Sequence, residues 1–441
     1  MPEGFRVLNL GCKVNRVESD TMRSVLLSSG LKEVAEGQER VCLINSCTVT
    51  AEADAKLRKA VRRAAGAESH PQVIVTGCGA ALHPHELAAL GERVWVIANR
   101  EAALQAALLS ANTPPATAGA APTVARSAEA LAKVLPDSAK ALATTVGRTT
   151  RVGEGFPTRV GVKVQDGCSN RCSYCIVPQA RGAARSRPFA EILDESERLI
   201  AAGVRELVIS GINVGAYSSD GCNLVALLEK IAALSGRFRL RLSSIEPQDV
   251  SDALLDLLAR CDRRLCRHLH LPLQSGSDAV LAAMARRYNR EQYRELVARA
   301  RARVPGLALT TDCLVGFPGE SEADFAATLA LAEQARFSGI HVFRYSRRPN
   351  TAAADLPLLP APTVAKRAEA LRNLAERLAT ADRQQRLGIC EEVVMENAEQ
   401  GRGESYHRVR VNSTQQPGRL LTVRYTGYSK SGMLAEACPR K

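Results

Sequence analysis

No run of about 18 or more consecutive apolar residues, the length a transmembrane helix needs, occurs in the 441-residue chain. The opening residues, Met1-Pro2-Glu3-Gly4-Phe5-Arg6-Val7, lack the basic start and apolar stretch of a secretory signal. Both absences lead to the expectation of a cytoplasmic protein. A reducing cytosol disfavours disulfides, so the 13 cysteines call for metal binding or catalysis instead. Wholesale disorder is excluded too, because 46% hydrophobic and 24% charged residues are ordinary for a globular chain.

What is present begins with size and charge. The chain exceeds the roughly 250–300 residues at which one core stops growing, which implies two or three domains. A formal net charge of +13 points to a polyanionic partner, since Lys and Arg that neutralise phosphates release condensed counterions. A merely solvated surface accounts for the same number.

Short apolar runs alternate with helical stretches in the first hundred residues. Arg6 to Leu10, Arg40 to Asn45 and Gln72 to Thr76 read as strands, with helices over 19–29 and 51–65. Buried strands alternating with helices imply an open parallel sheet. From about 110 to 155 the composition turns to Ala, Pro and Thr, as in a linker. Strands are then expected at 160–164, 206–209, 238–242, 268–271, 308–314 and 339–343, with helices between them. Six such units fit a partial (β/α)6 barrel, with a doubly wound sheet as the alternative. After Pro357 to Pro362 comes a charged helix over 364–387, and the last fifty or so residues alternate with period two, as in a small all-β module. The expected domains are 1–108, a linker at 109–155, a core at 156–376 and the β module at 377–441.

The sharpest local signal is Cys168-Ser-Asn-Arg-Cys172-Ser-Tyr-Cys175. This C-x3-C-x2-C loop follows the first barrel strand, at the mouth where barrel enzymes place their chemistry. Structural zinc usually takes a fourth Cys or His at matched spacing, and none lies nearby. Three thiolates do suit a 4Fe–4S cube that keeps one iron open. An open iron can chelate the amine and carboxylate of S-adenosylmethionine, whose sulfonium yields a 5′-deoxyadenosyl radical on one-electron cleavage.

A second set is dispersed. Cys12, Cys47 and Cys78 each sit where a strand ends, and in a parallel sheet those ends share one edge. The readings at this point are a second cluster, a zinc site completed by His83 or His85, or simply buried thiols. The other cysteines (Cys42, Cys222, Cys261, Cys266, Cys313, Cys390 and Cys438) form no matching pattern, and Cys42 and Cys313 read as packing residues.

These motifs carry a resemblance. The CxxxCxxC loop within QDGCSNRCSYCIVPQARG (165–182) is similar to that of radical S-adenosylmethionine enzymes. Together with GCKVN (11–15), NSCTVT (45–50), GC (77–78), GINVGAY (211–217), RLSSIEP (241–247), HLPLQSGSD (270–278), GFPGE (316–320) and HVFRYSRRPNTAA (341–353), the chain resembles the methylthiotransferases. GCKVN with NSCTVT is most similar to the branch acting on N6-threonylcarbamoyladenosine at position 37 of tRNA, 3′ of the anticodon. Branches acting on isopentenyladenosine tRNA or a ribosomal protein are the alternatives, as is a non-catalytic, metal-containing RNA-binding protein.

The resemblance implies two 4Fe–4S clusters. Cys168, Cys172 and Cys175 would hold the one that cleaves S-adenosylmethionine, and Cys12, Cys47 and Cys78 an auxiliary one supplying sulfur. It also implies cofactor contacts at Ser210, Gly211, Asn213, Ser243 and Glu246, and a C-terminal TRAM-like module that grips tRNA. Arg181, Arg185 and Arg187 are candidate phosphate contacts. Tyr406, His407, Arg408, Arg424 and Tyr425 mix aromatic and basic residues as RNA-binding sheets do. The sulfur donor and the electron donor are not legible.

Overall fold

The computed structural model describes residues 4–112, 156–261 and 264–438. The expected linker at 109–155 therefore lies almost wholly outside the described residues. Two compact units result: residues 4–112 with Cys175–Ala183, and 156–174 with the chain from Ala184 onward.

The first unit is built on four parallel strands in sequence order: β1 (Phe5–Asn9), β2 (Val41–Ser46), β3 (Gln72–Gly77) and β4 (Val94–Val96). All of β2 is buried, which explains its apolar run from Val41 to Ile44, while Asn45 and Ser46 at its end are buried polar residues. Helix α1 (Lys13–Ser28) begins six residues earlier than its apolar periodicity suggests, with Cys12 as its N-cap residue. Helix α2 (Ala51–Ala65) starts where Thr50 accepts the backbone N–H of Ala53, a normal N-cap. A short helix α3 (Cys78–Leu82) opens directly at the end of β3, and α4 (Arg100–Asn112) packs Leu104 and Leu108 onto the sheet core. Helix α5 (Val177–Arg181) belongs to this unit as well.

The second unit contains six parallel strands: β5 (Arg159–Lys163), β6 (Glu206–Ser210), β7 (Arg239–Leu242), β8 (His268–His270), β9 (Ala308–Val315) and β10 (Gly339–Arg344). They pair in two sheets, β7-β6-β5 and β8-β9-β10. Single bridges Leu240↔Leu265 and Ser244↔His270 join the two sheets. This is the open (β/α)6 arrangement. One large apolar core runs beneath it, from Val160 to Leu374. Helices at Phe189–Ala201, Leu224–Ala232, Asp252–Arg260, Arg290–Arg303 and Glu322–Ala335 fall between the strands as expected, and α6 (Asp278–Ala283) is an extra one too short for a periodicity signal.

After helix α7 (Ala361–Gln385), which spans the expected 376/377 boundary, five strands close a small barrel. They are β11 (Cys390–Met395), β12 (Gln400–Gly403), β13 (Arg408–Val411), β14 (Leu420–Ser429) and β15 (Gly432–Ala437). Closure removes every exposed sheet edge.

The two barrels of this unit meet through buried charge. Glu206 is fully buried on β6 and accepts from Arg239 Nε (2.7 Å) and Arg241 Nε (2.8 Å) of β7. The remaining guanidinium nitrogens reach the small barrel. Arg239 donates to the carbonyls of Glu392 (2.5 Å) and Arg402 (2.7 Å), and Arg241 to those of Gly403 and Glu404, both at 2.8 Å. Tyr406, held at φ 70° in the turn between β12 and β13, stacks on His268 with ring centroids 4.8 Å apart. Burial alone would raise the Glu206 carboxyl, but Arg241, Arg239 and Arg159 outweigh it and hold the carboxyl well below the usual range.

Removing one partner of such a buried set leaves uncompensated charge. Glu206→Gln is therefore expected to destabilise the second unit by about 3–5 kcal/mol, seen as a lower denaturation midpoint at pH 7. Since folding depresses this carboxyl's pKa, its contribution is present at neutral pH and fades as pH falls below the ordinary value of about 4.3. The gap between wild type and variant should narrow there. An equal midpoint at pH 7 would show that the arginines do not need their acid.

Candidate active site

The first cysteine set is shaped by a network of buried amides. Cys12 follows β1, Cys47 follows β2 and Cys78 follows β3, all at the carboxyl edge of one parallel sheet. Asn15, fully buried in the first turn of α1, donates through Nδ2 to Asn45 Oδ1 (3.1 Å) and the Ser46 carbonyl (2.8 Å). Asn45 returns a bond to the Asn15 carbonyl at 2.9 Å. The Cys12 thiol lies 3.2 Å from Asn15 Oδ1. Ser46 Oγ donates to the Thr76 carbonyl and accepts the backbone N–H groups of Gly79 (3.0 Å) and Ala80 (3.2 Å), which fixes the start of α3 next to Cys78. Each loop is thus tied to the next by residues of GCKVN and NSC.

Gly77 explains the glycine before Cys78. It sits at φ +90°, and a Cβ there would come 2.5 Å from Asn45 Oδ1 and 2.6 Å from the Ser46 carbonyl. The three thiols influence one another: burial pushes Cys47 up to about 11, with Cys12 and Cys78 adding to the rise. Three soft donors at one sheet edge match an iron–sulfur cube with one open iron. His83 faces other groups, with Nε2 3.8 Å from Asp54 and Nδ1 3.7 Å from Glu86.

Arg181 departs from expectation. Its side chain is 2% exposed, so it is no phosphate contact. It donates instead to Glu18, Asn15 and the Cys78 sulfur. Arg187 is paired with Glu195, and Arg185 is exposed.

In the second unit, Cys168 and Cys172 follow β5. Gln165 is fully buried and shapes this loop, donating to the carbonyls of Asp166 and Gly167, both at 2.8 Å. Its Oε1 accepts the backbone N–H of Asn213 at 2.8 Å, so one amide links the loop to the end of β6. Ser173 is pinned between the end of α6, through Ala283 and Met284, and the backbone of Ala353. Burial raises the Cys168 thiol, and neighbouring Cys172 raises it further. Arg286 donates to Cys172 Sγ at 3.2 Å and forms an ion pair with Glu246. Cys175 stands three residues beyond Cys172.

The residues expected at the cofactor occupy the carboxyl ends of β6 and β7. Ser210 Oγ turns back to the Val208 carbonyl at 3.1 Å. Gly211 packs closely on Gln165, 3.1 Å from where its Cβ would stand. Asn213 Oδ1 and Ser243 Oγ are buried and have no hydrogen-bond partner among the described residues. Buried polar atoms are rarely left unpaired, so these two fit a polar ligand such as S-adenosylmethionine.

Two features escaped the sequence. His270, Asp312 and His341, from β8, β9 and β10, bring their donor atoms within 4.8 Å of one another, and Thr310 Oγ1 lies 2.9 Å from His270 Nδ1. Scattered single residues on three strands give no spacing signal. Likewise Cys390 and Cys438, 48 positions apart, approach to 3.8 Å. Cys42 and Cys313 are fully buried.

Comparison with known proteins fixes the class first. The family profile described as the Radical SAM superfamily matches residues 162–332, which span β6 to β9. Another, described as uncharacterized protein family UPF0004, matches residues 5–98. A radical S-adenosylmethionine methyltransferase, TsrM, from Kitasatospora setae, solved with cobalamin and a 4Fe–4S cluster bound, shares the fold with a TM-score of 0.53 at 17% identity, covering 80% of this chain and 74% of that one. The chain is a radical S-adenosylmethionine enzyme.

Curated relatives narrow this. The threonylcarbamoyladenosine tRNA methylthiotransferase MtaB of Thermotoga maritima is 32% identical, covering 98% of this chain and 96% of that protein. A tRNA-2-methylthio-N(6)-dimethylallyladenosine synthase of Cereibacter sphaeroides is 34% identical, covering 97% and 96%. This chain belongs to the radical S-adenosylmethionine methylthiotransferase family, whose members transfer a methylthio group.

The Gly77 geometry generates a prediction. Gly77→Ala forces an L-residue into the left-handed region and against Asn45, at a cost of about 1–3 kcal/mol. Metal-free protein should melt at lower temperature in the first unit, while the second unit's transition stays put. An unchanged first transition would mean the sheet edge relaxes freely.

Proposed function

We propose that this enzyme methylthiolates C2 of N6-threonylcarbamoyladenosine at position 37 of tRNA, in the anticodon stem-loop, using two 4Fe–4S clusters. The observation that carries the reading is the tied edge of Cys12, Cys47 and Cys78, a second three-thiol set besides the C-x3-C-x2-C loop. Relatives named for threonylcarbamoyladenosine, from Thermotoga maritima and Chlamydia pneumoniae, support the substrate at 32% identity each. Comparable identity to a dimethylallyladenosine synthase favours a second reading, isopentenyladenosine tRNA.

In this scheme Cys168, Cys172 and Cys175 hold the cluster that binds S-adenosylmethionine, while Cys12, Cys47 and Cys78 hold an auxiliary cluster. With both bound, the chemistry supplied is one-electron cleavage of S-adenosylmethionine and delivery of sulfur, which side-chain acids and bases cannot provide. The chain's own contribution is placement. Asn213 and Ser243 would meet polar groups of the cofactor, the bare Gly211 lets Gln165 pack against the end of β6, and Arg286 holds Cys172 and Glu246 together.

For tRNA, the exposed Arg408, Arg424, Tyr428 and Lys430 of the small barrel combine charge with an aromatic face. Tyr406, His407 and Tyr425 do not serve there. Tyr406 stacks on His268, His407 is buried against Asp382, and Tyr425 is buried against Glu391. No described helix is long and apolar enough to cross a membrane.

Two clusters require about eight irons per chain after anaerobic reconstitution. Cys172→Ala should abolish 5′-deoxyadenosine formation and keep about half the iron, whereas Cys47→Ala should keep cleavage and lose sulfur insertion. Mass spectrometry of tRNA nucleosides from a deletion strain decides the substrate. Loss of the methylthio form of threonylcarbamoyladenosine is expected, and its persistence alongside loss of the isopentenyl form would transfer the assignment to the second reading.

A further inference from the structure

Arg181 is an expensive residue to bury, and its surroundings show what it faces. Its Nη1 donates to Glu18 Oε1 at 3.0 Å, and Nη2 donates to Asn15 Oδ1 at 2.9 Å and Glu18 Oε2 at 3.2 Å. Nε points elsewhere, to Cys78 Sγ at 3.2 Å. Glu18 alone would satisfy the charge, so the Nε bond to sulfur is an additional, directed contact. Glu18 is also shared with Arg100, whose Nε lies 2.6 Å from Oε2. Two guanidinium groups and one carboxylate therefore leave one net positive charge beside the thiols.

The same device recurs on the other cysteine set. Arg286 donates to Cys172 Sγ at 3.2 Å and pairs with Glu246. In both cases a guanidinium bridges a cysteine sulfur and a glutamate. Hydrogen bonds to ligating sulfur, together with local charge, set the potential of an iron–sulfur cluster.

We propose that Arg181 is a positioning residue for the auxiliary cluster: it donates a hydrogen bond to the Cys78 thiolate and raises the cluster's reduction potential, with Glu18 as the counterweight. The proposal rests on the reading that Cys12, Cys47 and Cys78 hold that cluster. Asn15 extends the effect, since its Oδ1 receives Arg181 and lies against the Cys12 thiol. Arg181 lies six residues beyond Cys175, in the helix that follows the other cysteine loop, so one short segment carries a ligand of one set and a tuning group for the other.

The test uses the full-length chain with Cys168, Cys172 and Cys175 replaced by Ala, so that the auxiliary cluster is observed alone. Redox titration followed by electron paramagnetic resonance reads its midpoint potential. Arg181→Met should lower the midpoint, Glu18→Gln should raise it, and Arg181→Lys, which keeps the charge, should stay near the parent value. Opposite shifts from the two members of one ion pair are not what a merely structural pair gives. If Arg181→Met does not fold, a raised midpoint in Glu18→Gln beside an unmoved one in Arg181→Lys carries the test. Unchanged midpoints with only lowered melting temperatures overturn the proposal while leaving the cluster assignment intact. A parent that takes up no iron overturns the cluster assignment, and the proposal with it.

Discussion

Parallel strands cannot be joined by tight turns, so each must be followed by a crossover that carries the chain back to its starting edge. The price of that topology is a row of loops at the carboxyl edge, and this molecule places nearly all of its chemistry there. Cys12, Cys47 and Cys78 leave consecutive strands of one sheet. Cys168, Ser210 and Ser243 leave consecutive strands of the other. Topology alone only brings the loops near. The buried Asn15–Asn45–Ser46 network converts proximity into fixed spacing, because amides sealed from water must find one another to avoid an unpaired cost of about 1–3 kcal/mol each.

A barrel that opens its carboxyl end to ligand must close the other end with something. Here that closure is polar. Glu206, Arg239 and Arg241 are buried, and their spare donors saturate carbonyls of the turn that carries Tyr406. Desolvating three charges is costly, and hydrophobic replacements can be as stable. What the charged version adds is direction: five N–H groups on a planar fork accept only one docking of the turn. The small barrel's aromatic tip is thereby committed to structure, with Tyr406 stacked on His268.

Much of this was legible in the sequence, for a specific reason. Strand positions followed from apolar runs, and β5 through β10 lie within one or two residues of where those runs end. The glycines and asparagines flanking the cysteines also stood out, although only the packing of Gly77 against Asn45 shows why they are needed. Other features had no local signature. β12, with two glycines in four residues, carries no alternating apolar pattern of its own. His270, Asp312 and His341 meet only through strand register, with Asp312 opposite His341 on β10. Periodicity reports which face is buried, not which residues on adjacent strands become neighbours.

The basic composition illustrates the same boundary from another side. Arg181 read as a phosphate contact because it sits in an acid-free run with Arg185 and Arg187. Its acid, Glu18, lies 163 positions away in sequence and 3.0 Å away in space. Arg239 and Arg241 likewise share Glu206, and Arg286 pairs with Glu246. A buried arginine matched one to one with a carboxylate contributes little to the field felt by an approaching polyanion, and two that share one acid contribute one charge between them rather than two. The field a polyanion would feel therefore comes chiefly from cations facing outward without an acid in reach. Linear charge density points to the wrong arginines wherever the fold supplies a distant partner. The better index of an RNA-facing surface is exposed guanidinium that remains after every buried pair has been set aside.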